Sequence, residues 1–209
     1  MTLPPLAHIV DDDEAIRDAL EWLFETRGVA CRGWASGEAF LAAWQPDWRG
    51  CIVLDIRMDG MNGLACFDAL RERECSLPVI FLTGHGDVPM AVSALKNGAF
   101  DFVEKPFNDN DLVDLVEKAL EADARKQAQL ATRDTVALRL GKLTARESEV
   151  MELILAGKYN KVIADKLNIS MRTVEVHRAR VFEKMGVRSA VELAQALAAS
   201  GLREPREDE

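Results

Sequence analysis

Four aspartates in the first half of the sequence are the side chains best suited to chemistry. Asp11, Asp12 and Asp13 directly follow one apolar run, and Asp55 ends another. Clustered carboxylates repel one another unless a cation neutralises them, and their hard oxygen atoms suit Mg²⁺. A carboxylate held beside that ion can attack phosphorus and form an acyl phosphate.

A hydroxyl and a cation complete the set. Thr83 and Lys105 also follow apolar runs, and they would bind the oxygens of a new phosphoryl group. Taken singly, each residue has an ordinary explanation, since an Asp run after a strand is common in turns and helix caps. The ordered series of carboxylates, hydroxyl and ammonium favours one shared site.

Alternating apolar runs and helical patterns would position this series. The predicted strands are residues 7–10, 30–34, 51–54, 78–82 and 101–103, and the predicted helices are 15–26, 37–43, 63–73, 88–97 and one that begins at Asp109. Five such units predict an α/β domain with a five-stranded, doubly wound parallel sheet. In such a sheet the reactive site lies at the carboxyl ends of the strands.

The last third of the chain has helical patterns throughout. Thr144 with Glu147, and Ser189 with Glu192, have capping-box spacing. Two shorter helices, 160–167 and 172–185, flank a short turn, as in a helix-turn-helix. We therefore predict a first domain over residues 1–120, a partly helical linker over 121–142, and an all-α, four-helix helix-turn-helix domain over 143–209.

The net charge of −9 is unevenly distributed. Residues 1–120 hold 10 Lys and Arg against 21 Asp and Glu, a net of −11, whereas residues 158–188 hold 8 against 3, a net of +5. A local basic segment can face nucleic-acid phosphates even in an acidic protein. Because no apolar run has the length of a membrane span and no secretory leader is evident, we expect a cytoplasmic protein with no membrane partner.

The second helix of the turn motif has one apolar face and one face suited to a DNA groove. The residues predicted to be buried are Val174, His177, Val181 and Met185. The residues predicted to contact DNA are Lys161 on the preceding helix and Arg172, Thr173, Glu175, Val176, Arg178, Ala179 and Arg180 on this one. The basic side chains would bind phosphates, while Glu175 would accept from a cytosine amine and Val176 would touch a thymine methyl.

The segments HIVDDDE, LDIRMDGMNG, FLTGHGDVPMA and DFVEKPF resemble the receiver domain of bacterial two-component response regulators, over essentially all of residues 5–120. The resemblance implies that Asp55 accepts a phosphoryl group from a sensor histidine kinase. It also implies that Asp11 and Asp12 hold Mg²⁺ together with Asp55 and the backbone carbonyl of Arg57. Asp13 falls on the next position, which is often acidic but not essential.

The same resemblance implies a switch. Thr83 matches the switch hydroxyl, Lys105 the family's lysine, and Phe102 the aromatic residue whose burial reports phosphorylation. The Lys105–Pro106 bond is implied to be cis. One departure is visible, because this chain has Asp59 where the family usually has proline. We expect Asp59 to loosen the loop and to add negative charge near the pocket.

The stretch LTARESEVMELILAGKYNKVIADKLNISMRTVEVHRARVFEKMGVRSAVEL resembles the DNA-binding domain of the LuxR/FixJ class. Its pairing with a receiver, and GHGDVPMA in particular, indicates the FixJ-like branch. The resemblance implies a homodimer that forms on phosphorylation, double-stranded promoter DNA as a partner, and RNA polymerase as a candidate partner. The family often has arginine where this chain has Ala190.

Three other interpretations compete with a phosphorylation-switched regulator. A phosphatase or phosphotransferase is disfavoured because the position two residues after Asp55 is Arg57 and not a second acid. A quorum-sensing regulator would need an apolar ligand pocket in place of the carboxylates. The third interpretation, a receiver that acts as an interaction module without phosphorylation, is not excluded by the sequence.

Overall fold

The chain forms two compact units, Met1–Lys126 and Gln127–Glu209. The structure is a computed structural model, and it describes residues 4–84 and 88–202. Residues 85–87 of the GHGDVPMA segment therefore lie outside the described residues. No helix within the described ranges combines the length and the apolar character needed to cross a membrane.

A five-stranded sheet forms the centre of the first unit. Its strands are β1 (Leu6–Val10), β2 (Cys31–Trp34), β3 (Gly50–Asp55), β4 (Val79–Thr83) and β5 (Asp101–Glu104). All pairs are parallel and the strand order is β2-β1-β3-β4-β5. The predicted α/β fold with a five-stranded parallel sheet is confirmed, and every predicted strand lies within one or two residues of its observed bounds.

Helices cover both faces of the sheet. They are α1 (Glu14–Thr26), α2 (Gly37–Ala43), α3 (Gly63–Glu72), α4 (Val88–Lys96) and α5 (Asp109–Leu140). One core cluster packs α2 and α3 on the sheet through Phe40, Cys66 and Leu70. The other packs α1 and the start of α5 through Phe24 and Leu112. Both faces of β3 and β4 are buried, which explains why these strands lack polar alternation.

Helix α5 is long, with 32 residues, and it runs from the first unit into the second. The segment predicted to be a partly helical linker is helical as far as Leu140. Near its end, Val136 is buried in the core of the second unit together with Val150 and Val181. The last turns of α5 therefore contribute apolar packing to the second unit.

The second unit also contains α6 (Ala145–Leu155), α7 (Asn160–Leu167), α8 (Met171–Met185) and α9 (Ala190–Ser200). The capping box predicted at Thr144 and Glu147 is present at the start of α6. Between α7 and α8, Asn168 adopts the left-handed conformation with φ 52°, and Ser170 caps α8 through its side chain. These two residues form the tight turn of a helix-turn-helix.

Candidate functional sites

The polar residues predicted from the sequence meet at the carboxyl edge of the sheet. Asp55 is the last residue of β3, and β3 lies between β1 and β4. Asp11 and Asp12 directly follow β1, Thr83 ends β4, and Lys105 directly follows β5. Parallel strands present the same end to the same edge, so the topology brings together residues that are far apart in sequence.

Lys105 bridges two of these carboxylates. Its Nζ donates to Oδ1 of Asp55 at 2.8 Å and to Oδ2 of Asp11 at 3.0 Å. Asp11 is almost fully buried and Asp55 is 6% exposed. An ammonium group between two buried carboxylates offsets their mutual repulsion.

Burial and these ion pairs act in opposite directions on the titration of the site. Burial raises the pKa of the Asp55 carboxyl, and the hydrogen bond from Lys105 opposes that rise. Burial would lower the pKa of Lys105, but hydrogen bonds to Asp55 and Asp11 outweigh it, so its pKa is raised. Lys105 therefore stays charged at neutral pH, and its ammonium group attracts anionic groups to the site beside Asp55.

Three carboxylates could share a cation. One oxygen each from Asp11, Asp12 and Asp55 can be chosen so that all three lie within 4.8 Å of one another. Carboxylate oxygens are the ligands that Mg²⁺ prefers, and the exposed Asp12 leaves room for the water ligands that this ion retains. The donor set therefore fits Mg²⁺. The main chain of Arg57 hydrogen-bonds to the Asp55 carboxyl, and its carbonyl stays a predicted metal ligand.

Close backbone contacts hold the acidic residues in place. Asp13 accepts from Ala15 N–H and caps α1, while its own N–H donates to Oδ1 of Asp11 at 2.9 Å. Arg17, one turn into α1, donates to the carbonyl of Asp11 at 2.8 Å. Gly63 begins α3 so close to β3 that a Cβ there would lie 2.1 Å from the carbonyl oxygen of Asp55. Only glycine fits at that close approach.

The two predicted switch residues lie on neighbouring strands. Thr83 is fully buried, and its hydroxyl donates to the carbonyl of Gly84 at 3.0 Å. Phe102 is half-buried against the core cluster on the α2 and α3 side of the sheet. The Lys105–Pro106 bond is cis, as the resemblance implies.

The main chain of Asp59 makes a contact that the sequence did not predict. Its main-chain N–H donates to Oδ2 of Asp12 at 2.7 Å. Two residues on, Met61 N–H donates to Oε1 of Glu38 at 2.9 Å. The donor that proline would lack is used, so the loop is tied to the acidic site. Sequence reasoning missed this contact, and those of Arg17 and Glu38, because periodicity does not reveal the partners of main-chain groups in loops.

The predicted DNA-reading helix has the expected two faces. Val174, Val181 and Met185 are buried, and His177 is half-buried. The exposed residues among the predicted DNA contacts are Lys161, Arg172, Glu175, Val176, Ala179 and Arg180.

Two of the residues predicted to contact DNA are half-buried and contact other side chains of the protein. Thr173 is half-buried, with its hydroxyl 2.8 Å from that of the capping Ser170. Arg178 is also half-buried and lies over the Phe182 ring at 5.4 Å. The exposed face near the start of α8 therefore offers the more accessible side chains.

The second unit anchors this helix at its far end. Arg139 of α5 donates to the carbonyl of Met185 at 2.7 Å. Lys184 donates to the carbonyl of Lys142 at 3.0 Å and to Oε2 of the buried Glu147 at 2.6 Å. The end of α8 is therefore fixed to the segment that joins α5 and α6.

Sequence profiles of two known families match the chain. The response regulator receiver domain matches residues 7–117, and the luxR family of bacterial regulatory proteins matches residues 141–197.

Full-length relatives share both parts. The C4-dicarboxylate transport transcriptional regulatory protein DctR of Rhodobacter capsulatus is 55% identical over 90% of this chain and 96% of its own length. The transcriptional regulatory protein FixJ of Rhizobium meliloti is 43% identical over 93% of this chain and 95% of its own.

Solved structures agree with these relationships. The response regulator StyR is 36% identical with a TM-score of 0.84, over 94% of this chain and 99% of its own. Full-length FixJ from B. japonicum is 37% identical with a TM-score of 0.61, over 97% of this chain and 100% of its own.

Proposed function

Because the chain belongs to the response regulators that join a receiver domain to a LuxR-type DNA-binding domain, we propose that phosphorylation of Asp55 by a sensor histidine kinase controls its binding to DNA. Its relatives are transcriptional regulatory proteins and not enzymes. The observation that carries the proposal is the meeting of Asp55, Asp11, Asp12 and Lys105 at one edge of the sheet.

Asp55 is the nucleophile of the proposed reaction. Its carboxylate attacks the phosphorus of a phosphohistidine on the kinase, the P–N bond breaks, and the electron pair leaves with the imidazole. Lys105, already 2.8 Å from Asp55, is placed to bind a phosphoryl oxygen afterwards. Mg²⁺, held by Asp11, Asp12 and Asp55, would neutralise charge on the transferring group. Arg17 and Asp13 position Asp11, so the acidic side chains are organised before the donor arrives.

The proposed switch passes through Thr83 and Phe102. A phosphoryl group on Asp55 would draw the Thr83 hydroxyl away from the Gly84 carbonyl that it now contacts. The half-buried Phe102, on the adjacent strand β5, would then turn inward and reshape the surface around α4, β5 and α5. We propose that two copies pair through this surface.

Dimerisation would place two copies of α8 on DNA. One reading helix recognises a half-site, so a symmetric pair can engage both halves of a palindrome. The contacts would come from the exposed face defined by Arg172, Glu175, Val176 and Arg180, with Lys161 on a phosphate. Such a regulator works in the cytoplasm, where it meets its kinase, promoter DNA and RNA polymerase.

Labelling with a small phosphodonor tests the first step. The protein is incubated with acetyl phosphate and Mg²⁺, and intact mass spectrometry with peptide mapping locates any added phosphoryl group. We expect one group on Asp55 and none in Asp55→Asn, because the amide is nearly isosteric but not nucleophilic. Asp68→Asn, at an exposed aspartate on α3, is the matched control and should label as the parent does. Undiminished labelling of Asp55→Asn would move the site elsewhere.

Sedimentation tests the second step. We expect a monomer without phosphodonor and a dimer with it, and a coupling of a few kcal/mol is enough for that change. A protein that is equally dimeric in both conditions would refute the dimerisation switch. Release of the DNA-binding domain from the receiver would then be the better account.

A further inference from the structure

The loop between β3 and α3 contributes a main-chain donor to the acidic site. The N–H of Asp59 lies 2.7 Å from Oδ2 of Asp12. Asp12 is exposed, whereas the neighbouring carboxylates of Asp11 and Asp55 are buried and held by Lys105. Among the described contacts of the three carboxylates, this bond is the one that fixes the exposed member.

Further contacts hold Asp59 in register with Asp12. Gly60 adopts a φ of +75°, which favours glycine. Met61 N–H then donates to Oε1 of Glu38 at 2.9 Å, and Asn62 caps α3 by accepting from Ala65 N–H. The loop is therefore fixed immediately after Asp59, and the direction of the Asp59 N–H follows from the fold.

We propose that the main-chain N–H of Asp59 is a positioning donor for Asp12 and raises the affinity of the site for Mg²⁺. A carboxylate has two oxygens, so one can accept from Asp59 while the other remains available to a cation. Orienting an exposed ligand in advance reduces the entropy lost on binding, as hydrogen bonds to metal-ligating carboxylates generally do. The inference rests on the proposed function, because it concerns the same metal site.

The residue type at position 59 decides whether this donor exists. Proline has no N–H and could not make the bond. The Asp59 carboxylate is a separate contribution, since its negative charge attracts a cation over a longer distance. Salt screens that attraction between exposed groups, whereas a hydrogen bond is less sensitive to salt.

Two substitutions separate the two contributions. Asp59→Ala removes the charge and keeps the N–H, while Asp59→Pro removes both. Isothermal titration calorimetry of the full-length protein with MgCl₂, at low and at high ionic strength, measures the affinity directly. We expect Asp59→Ala to bind somewhat more weakly at low salt and like the parent at high salt. Asp59→Pro should bind on the order of tenfold more weakly at both.

Hydrogen exchange provides a measurement that does not depend on how proline fits the loop. In the absence of Mg²⁺, the amide of residue 59 should be protected in the parent and should exchange faster in Asp12→Ala, which lacks the acceptor. Equal exchange in the two proteins, or equal Mg²⁺ affinity of a folded Asp59→Pro and Asp59→Ala at high salt, would overturn the proposal. If the parent bound no Mg²⁺ at all, the proposed metal site itself would fail.

Discussion

The Nζ of Lys105 lies 2.8 Å from Oδ1 of Asp55. Lys105 directly follows β5, the neighbour of the strand β4 that carries Thr83. The contact joins the predicted nucleophile to β5, which also carries Phe102. A change in charge at Asp55 therefore acts directly on Lys105, at the end of the strand that contains Phe102.

We expect Lys105→Ala to separate phosphorylation from dimerisation. Asp55 should still accept phosphate from acetyl phosphate, because its nucleophilic oxygen and the metal ligands remain. The dimer fraction in sedimentation should fall, because no ammonium group pulls β5 toward the phosphoryl oxygens. Lys105→Arg, which keeps the charge, is the control and should retain more dimer. Full dimerisation of phosphorylated Lys105→Ala would show that Lys105 does not transmit the signal.

Much of the receiver could be predicted because its signals are local. Apolar runs such as 51–54 are buried on both faces, and each ends at a polar residue that the topology places at one edge. Asp55 and Thr83 follow from that rule, whereas Lys105 lies one residue beyond the end of its strand. The choice of Asp12 over Asp13 as a metal ligand, and the role of Phe102, needed the family resemblance, since neither residue has a distinctive pattern.

The contacts that organise the site could not be predicted. The bond from Asp59 N–H to Asp12 depends on the path of a loop, and main-chain donors are the same for every residue except proline.

The length of helix α5 was also underestimated. Its apolar positions thin out after Leu120, yet Val136 is buried because the second unit supplies its partners. Tertiary packing, and not local periodicity, decides such a case.

Lys161 and Glu175 should affect DNA binding in different ways. Lys161→Ala should weaken binding to every sequence and lower the salt slope of log affinity by roughly one, because one phosphate contact is lost. Glu175→Ala should mainly relax sequence preference, because a carboxylate can select a cytosine amine. Fluorescence anisotropy with cognate and scrambled duplexes over a salt series measures both effects.

A matched control exists on the same helix as Lys161. Lys166 is also exposed but lies at the other end of α7. Lys166→Ala should change the salt slope less than Lys161→Ala does. If Lys161→Ala left both the affinity and the slope unchanged, its phosphate contact would be disproved.

The pair formed by Glu147 and Lys184 should stabilise the second unit. Glu147 is buried, and the hydrogen bond from Lys184 lowers its pKa to about 2. Since that pKa lies below its value in the unfolded chain, the stabilisation is present above about pH 4.5 and is lost as the pH falls toward about 2. Lys184→Met leaves a buried carboxylate without its cation, so we expect a loss of about 2 kcal/mol at neutral pH.

Arg125→Met, which breaks an exposed ion pair in the first unit, provides a comparison for that substitution. Arg125 pairs with Glu121 at 2.7 Å, but both side chains are mostly exposed. Exposed pairs of this kind contribute less than about 1 kcal/mol. Chemical unfolding followed by circular dichroism should therefore show a shift for Lys184→Met that is larger than for Arg125→Met. Equal shifts would mean that burial does not strengthen the Glu147–Lys184 pair.

His8 should make the stability of the receiver depend on pH. It is 1% exposed on β1, its ring stacks on Trp48 at 4.6 Å, and its Nδ1 accepts from Trp34 Nε1 at 3.3 Å. Burial lowers the pKa of His8 from 6.5 to about 4. The unfolded chain thus binds a proton more readily than the folded one, so stability is full above about pH 6.5 and falls as the pH drops toward 4.

The expected size of the effect is about 2 kcal/mol between roughly pH 7.5 and pH 5. Protonation at Nδ1 would also expel the Trp34 donor, so the acid form cannot keep the buried geometry.

All four tryptophans lie within the first 50 residues, which means that tryptophan fluorescence follows unfolding of the first unit within the full-length protein. His8→Phe keeps an aromatic ring against Trp48 but cannot titrate. It should be somewhat less stable than the parent at pH 7.5, because Trp34 loses its acceptor, and its free energy of unfolding should change less between the two pH values. If the parent and His8→Phe lost the same stability on acidification, the pH dependence of the receiver would arise from other groups.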